Sequence, residues 1–308
     1  MHRAVVFAYH NVGIRCLSVL LAHGVEIPLV VTHTDNPDED IWFGSVAELA
    51  ALHDIPVITP TDSNAPGVIE QVRAAHPDFL FSFYYRNLLK QELLGIPPRG
   101  AFNMHGSLLP KYRGRAPVNW AIIKGETQTG ATLHVMNEKP DNGAIVDSQA
   151  VPILPDDTAL DVFHKVACAA EITLNRCLPG LLAGTVRLTP QDLSQGGYFG
   201  GRRAEDGRID WRQSARDIHN LVRAVAPPYP GAFSRLAGKP LRILRTLIEA
   251  HRAPRVAYPA LYGENGRCYA VCGDGKVLRV LAFELDGQPV DIAAFAATLG
   301  AAVLPLSE

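Results

Sequence analysis

Asn103 and His105 stand two apart at the end of an apolar stretch, and Asp141 follows later in an Asp-Asn-Gly turn. Alternation along a strand puts residues two apart on one face, so an amide and a titratable imidazole would project side by side from a rigid element. That pairing suits acyl transfer to nitrogen. An attacking amine must lose a proton while the carbonyl oxygen gains negative charge, and an imidazole beside a neutral amide N–H answers both demands. Taken alone, Asn-x-His also describes ordinary polar residues where a strand runs into a loop. Asp-Asn-Gly is also a common turn in which the Asp makes a local hydrogen bond, although a turn is equally a way to hold a carboxylate still.

The elements around these residues decide where they would sit. The run Asn103-Met104-His105-Gly106-Ser107-Leu108-Leu109-Pro110-Lys111-Tyr112-Arg113-Gly114-Arg115-Ala116-Pro117 reads as a strand ending in a long loop fixed by glycine and proline. Open α/β sheets place their sites beyond the carboxyl ends of strands, in such loops. Upstream, short β-branched runs at Ala4 to Ala8 and Ile27 to Thr32 flank a helical spacing of Leu17, Leu20 and Leu21, which makes a βαβ unit. Ser45 with Glu48 predicts a capped helix through Leu52, then a strand at Pro56-Val57-Ile58 and a helix over Val68 to Ala75. Phe79 to Tyr84 reads as a central buried strand, and Ala131 to Met136 as another. A Rossmann-like, doubly wound and mostly parallel sheet is the expected fold.

Such sheets often bind dinucleotides, but the first βα turn, Ala8-Tyr9-His10-Asn11-Val12-Gly13, has one glycine where the fingerprint needs three. Bulky Tyr9 and His10 stand where a pyrophosphate would need to meet backbone N–H groups, which argues against an NAD enzyme. Asp156-Asp157-Thr158 can cap a long helix carrying Leu160, Phe163, Ala167, Ala170 and Leu174. Residues 1–188 are thus expected to form a catalytic domain. Glycine-rich residues 189–207 would be a linker, and 208–308 a second domain. In the latter, one short helix near Ser214 to Val225 precedes strand-like runs at Leu241 to Leu244, Cys268 to Cys272 and Val277 to Phe283. A smaller β-rich domain follows.

At 308 residues the chain exceeds the usual size of one core. With 29 basic and 31 acidic residues it offers no broad electropositive surface, which weighs against a nucleic-acid partner. Five cysteines do not read as a disulfide framework, and a reducing cytoplasm is the expected location. Cys268 and Cys272 lack nearby soft ligands, so no metal is expected. Neither a signal peptide nor a segment long enough to span a bilayer is read in the sequence, so no membrane insertion is expected.

Asn-x-His followed by Ser-Leu-Leu-Pro and a later Asp resembles the folate-dependent formyltransferases. Within that family the chain is similar to the members that formylate UDP-4-amino-4-deoxy-L-arabinose, the formylating half of a bifunctional lipid A modification enzyme linked to polymyxin resistance. The similarity lies in Val5 to His10, Thr32 to Pro37, Ser82 to Arg86, Gly106 to Trp120, Phe199 to Arg203 and Pro230 to Ser234. It departs at Gly200-Gly201, where the family pattern has one glycine before the arginine pair. The resemblance implies 10-formyltetrahydrofolate as cosubstrate, a nucleotide-linked amino sugar as acceptor, and an OB-like second domain. It also implies catalytic roles for Asn103, His105 and Asp141, and a pterin crevice formed by Asn87, Leu88, Leu89, Asn137, Glu138, Lys139 and Pro140. Leu88 and Leu89 read equally as helix core. Arg115 is assigned to the cofactor, and Arg202 and Arg203 to anionic substrate groups, because a guanidinium makes paired bonds to phosphate or carboxylate. His10 and Tyr229 are expected on the nucleotide-sugar side. A separate dehydrogenase/decarboxylase would supply the amino sugar's precursor, and a homo-oligomer remains open. The rival readings are methionyl-tRNA formyltransferase and a non-catalytic folate or nucleotide-sugar binding module, the latter having no need of a base.

Overall fold

The computed structural model describes residues 2–250, 256, 259–300 and 302–307. Its contacts divide the chain into two compact units. The first comprises Met1–Pro117, Gln128–Pro152 and Phe163–Gly200; the second gathers Val118–Thr127, Ile153–Val162 and Gly201–Glu308.

In the first unit, β1 (Arg3–Ala8), α1 (His10–Ala22) and β2 (Glu26–Val31) form the expected βαβ unit. Next come α2 (Val46–Leu52), β3 (Val57–Ile58), α3 (Pro66–Ala74), β4 (Phe79–Phe83), α4 (Gln91–Leu94) and β5 (Ala101–His105). The Ser45 hydroxyl accepts from the Glu48 N–H at 3.2 Å, which satisfies one of the free donors at the α2 amino terminus. The short β6 (Arg113–Gly114) follows, and after α5 (Pro117–Ile123), which beyond Pro117 belongs to the second unit, β7 (Gln128–Val135) and β8 (Ile145–Pro152) extend the sheet. Strand order is β3-β2-β1-β4-β5-β7-β8. The strands from β3 to β5 pair in parallel, whereas β7 lies antiparallel to both β5 and β8. The sheet is therefore Rossmann-like and mostly parallel. Every residue of β4 is buried, as a central parallel strand requires, and Phe79, Phe81 and Phe83 stack along one face.

Helix α6 (Ala159–Ala183) has 25 residues and is, by length and composition, apolar enough to cross a membrane. The expectation that no segment reaches that length is thus corrected. Half of its apolar window is buried inside the protein, and Phe163, Val166, Ala170, Leu174 and Leu181 recur at the spacing of one helical face, the pattern of a core helix. Thr158 caps it, its hydroxyl accepting from the Asp161 N–H. The short β9 (Tyr198–Phe199) pairs in parallel with β6.

In the second unit, α7 (Ala215–Ala224) is capped by Ser214, whose hydroxyl accepts from the Asp217 N–H. The strands are β10 (Ala232–Leu236), β11 (Lys239–Glu249), β12 (Ala260–Glu264), β13 (Arg267–Val271), β14 (Val277–Leu285), β15 (Gln288–Pro289) and, after α8 (Ile292–Leu299), β16 (Val303–Ser307). Pairing runs β11-β10-β16-β12-β13-β14, and β14 returns to β11, closing an antiparallel, OB-like barrel that leaves no open edge among these six strands. Ile218 and Val222 of α7 pack with Trp211, Leu241, Ile243, Cys268 and Leu278 in its core.

Phe81 is fully buried at the centre of the sheet. Phe81→Ala is expected to lower unfolding free energy by about 3–5 kcal/mol, read as a shift of the urea midpoint at unchanged slope.

Candidate active site

The three chemistry-bearing residues converge. Asn103 and His105 lie on one face of β5, and the antiparallel register sets Asn103 opposite His134 and His105 opposite Thr132 of β7. Thr132 ties the following loop to that strand: its hydroxyl donates to the Ser107 carbonyl at 2.7 Å and accepts from the Leu109 N–H. Gly106 has no room for a side chain, because a Cβ there would collide with the Tyr84 hydroxyl. Although β7 runs back toward the start of β5, the following loop folds over the sheet, and the Asp141 carboxylate reaches 3.5 Å from His105 Nδ1 and 3.4 Å from His134 Nε2.

Carbonyl acceptors fix the tautomers of both rings, since a carbonyl only accepts. His105 donates from Nε2 to the Tyr112 carbonyl at 2.8 Å, which leaves Nδ1 with the lone pair. His134 donates from Nδ1 to the Val135 carbonyl, so its Nε2 accepts the Asn103 amide N–H at 3.1 Å. His105 is only 6% exposed. Burial pushes its pKa below 6.5 and the neighbouring His134 acts in the same sense, outweighing the Asp141 carboxylate and the Tyr112 carbonyl, which raise it. Burial works to raise the Asp141 pKa, but both imidazoles and the Gly114 N–H, which donates to Oδ2 at 2.8 Å, bring it down to about 2. At neutral pH the group is therefore a carboxylate beside a neutral imidazole. The Tyr112 carbonyl thus orients the His105 ring, while the Asp141 carboxylate acts on its charge.

His134 was missed by the sequence reading. Within Thr132-Leu133-His134-Val135 it looks like one more polar residue of an alternating strand, and only the β5–β7 register shows it facing Asn103.

The other expected residues fall into separate places. Asn87 donates to the Ser63 hydroxyl, and the Leu88 carbonyl accepts from the Asn64 side chain, so this segment is fixed beyond the end of β4. Leu88 is 64% exposed, whereas Leu89 is buried in a core cluster that Met136 also touches. Leu89 is thus core, the alternative left open for it. Asn137, Glu138 and Lys139 are exposed and Pro140 is half-buried; the Asn137 side chain accepts from the Lys139 N–H. Arg115 is exposed, with its backbone N–H bound to the Phe199 carbonyl.

His10 opens α1 with a left-handed backbone, φ +67°, and its ring stacks on Phe43 at 3.8 Å between the edges of Trp42 and Phe163. Burial, together with Arg86 and His164, lowers its pKa to about 3, so it stays neutral. Nearby, Arg86 makes a two-pronged ion pair with Glu39, its guanidinium sits over the Tyr9 ring, and the Tyr9 hydroxyl donates to Asp35.

Arg202, Arg203 and Tyr229 belong to the second unit. Arg202 lies over the Trp120 ring and donates to the Asp206 carbonyl; burial lowers its pKa. Arg203 is exposed and its backbone N–H donates to the Asp206 carboxylate. The half-buried Tyr229 has its hydroxyl bonded to Asn119, and desolvation raises its pKa.

The formyl transferase family profile matches residues 19–178, and the formyl transferase C-terminal domain profile matches residues 202–300. Among solved structures, the N-formyltransferase from Helicobacter canadensis, in complex with folinic acid and dTDP-3-aminofucose, superposes with a TM-score of 0.70 at 20% identity, over 94% of this chain and 100% of the other. A sugar 3N-formyl transferase solved with dTDP and 5-N-formyl-THF gives 0.71 at 19%, over 94% and 98%. HypX from Aquifex aeolicus, in complex with tetrahydrofolic acid, gives 0.62 at 18%, over 97% of this chain and 47% of its own. At these identities the likeness is one of fold. The family profile spans half of the sequence, and the chain belongs to the formyl transferase family.

Proposed function

We propose that this protein transfers a formyl group from 10-formyltetrahydrofolate to the amine of a nucleotide-linked amino sugar, with UDP-4-amino-4-deoxy-L-arabinose of lipid A modification as the acceptor. The observation that carries the chemistry is the neutral His105 Nδ1 within 3.5 Å of the Asp141 carboxylate, on the strand face that carries Asn103. A binding module needs no such base. Two sugar N-formyltransferases share the fold over nearly their whole length, which favours a sugar amine as acceptor, and the sequence resemblance favours the UDP-linked arabinose. Both substrates are anionic and water-soluble, which suits a cytoplasmic reaction.

In this reading the amine nitrogen forms a bond to the formyl carbon, and the bond from that carbon to the folate nitrogen breaks. Asn103 turns an amide N–H toward the formyl oxygen as negative charge builds on it. His105 takes the proton lost by the amine at Nδ1 and returns one to the departing folate nitrogen, so protons balance and the ring ends neutral. Asp141 stabilises the imidazolium between those events. The residues fit a formyl donor because a neutral amide donor, a neutral imidazole and a carboxylate are the groups acyl transfer to nitrogen calls for.

An assay with 10-formyltetrahydrofolate against UDP- and dTDP-linked amino sugars and methionyl-tRNA should give highest kcat/KM with UDP-4-amino-4-deoxy-L-arabinose. Formylation of the tRNA alone would overturn the acceptor, and no formylation of any amine would overturn the reaction. Asp141→Ala should lower kcat at least about tenfold, and Asn103→Ala and His105→Ala more, on the order of a hundredfold or beyond, with circular dichroism unchanged. Near-normal turnover of folded His105→Ala would remove its role.

The pH dependence has a fixed sign. A base must be unprotonated to act, so kcat/KM rises with pH through the His105 pKa, which burial holds below 6.5. Asp141 raises that pKa, so Asp141→Asn should move the acid limb to lower pH while reducing the plateau. A limb that stays in place would separate the two groups.

A further inference from the structure

We infer that Gln191 is a positioning residue that holds the Asp141 carboxylate in its working place; the inference rests on the proposed role of Asp141. Asp141 has a left-handed backbone, φ +56°, a conformation that persists in a non-glycine residue when its surroundings enforce it. The enforcement comes from a segment distant in sequence. Gln191 donates both protons of its side-chain amide to the turn, one to the Asp141 carbonyl at 2.9 Å and one to the Gly143 carbonyl at 2.7 Å. Its Oε1 is buried without a hydrogen-bond partner among the described residues, so the amide is held through its donors.

The Gln191 segment is itself anchored. Thr189 and Ile145 exchange two backbone hydrogen bonds just after the turn, at 2.8 and 2.9 Å. From the other side Arg113 donates to the Asn142 side chain at 2.8 Å and to the Leu193 and Gly196 carbonyls, while the next residue, Gly114, donates its N–H to Asp141 Oδ2. A Cβ at Gly143 would run into the Val135 carbonyl, so the turn cannot drift toward β7. Gln191 thus closes the remaining side with two donors on a neutral side chain. Asn is too short for that reach, Glu has no donor when ionised, and Met keeps the volume without the bonds.

The experiment measures kcat, KM and the acid limb of kcat/KM for the full chain carrying Gln191→Met, alone and combined with Asp141→Asn. The expected result for Gln191→Met is a fall in kcat of about tenfold to a hundredfold, KM for both substrates within about twofold, and an acid limb moved to lower pH as in Asp141→Asn. In the Asp141→Asn background, Gln191→Met should lower kcat no further, since the group it acts through is gone. Full additivity, or an acid limb that does not move, overturns the inference while leaving the role of Asp141 intact. Fully active Asp141→Asn overturns the role of Asp141 and the inference together. If Gln191→Met does not fold, Gln191→Leu gives the same reading, because its side chain cannot donate and adds no charge beside Asp141.

Discussion

A carboxylate is expensive to bury without compensation, and Asp141 is largely buried. Its compensation is unusual in kind. One full hydrogen bond, from the Gly114 N–H, serves Oδ2, while Oδ1 faces His134 Nε2 and His105 Nδ1 at 3.4 and 3.5 Å. Those separations exceed good hydrogen-bond distance, and His105 Nδ1 carries a lone pair in the tautomer that the Tyr112 carbonyl dictates. The carboxylate therefore gains most when one ring becomes protonated. A negative charge held near a neutral imidazole by backbone and glycine packing is a site prepared for a positive charge that arrives during reaction.

The switch from parallel to antiparallel pairing at β5 makes this arrangement possible. After the loop, β6 and α5, β7 comes back antiparallel beside β5, and that register sets His134 opposite Asn103. The loop that leaves β7 is pinned where it departs, through the Met136 N–H and the Ala101 carbonyl, and then turns back over the face it has just formed. Strands thus fix two groups, and a clamped turn brings the third.

Much of this was legible in local sequence. Alternation placed Asn103 and His105 together, Ser45 and Glu48 announced a capped helix, and the aromatic run from Phe79 marked the central strand, because each signal depends on neighbours within a few positions. What escaped reading depends on distant partners. His134 gains meaning only from register with β5. His10 illustrates the same limit: its place in the first βα turn excluded a dinucleotide fingerprint, but its stacking on Phe43 came from a loop whose course the sequence did not disclose. The segments Val5 to His10, Thr32 to Pro37 and Ser82 to Arg86, which carry the family resemblance at separate places in the sequence, meet through the Tyr9–Asp35 bond, the Arg86 guanidinium over Tyr9 and the stacking of His33 on Tyr85.

The two nitrogens of His105 carry a consequence for the proposed reaction. With Nε2 committed to the Tyr112 carbonyl, Nδ1 is the only atom at which the ring can exchange a proton. A proton taken from the amine must then leave from the same atom, so the attacking and departing nitrogens have to come within reach of Nδ1 in turn, on the face where Asp141 waits. That requirement restricts the approach of both substrates more tightly than a freely rotating imidazole would, and it explains why a carbonyl that takes no part in the chemistry is held so firmly. Tyr112 is buried, its ring lies against Phe199, and the backbone on either side of it is tied down: Lys111 to Leu108 and to the Ser107 hydroxyl, Arg113 to Gly197. Rigidity at a carbonyl thereby becomes direction at a base.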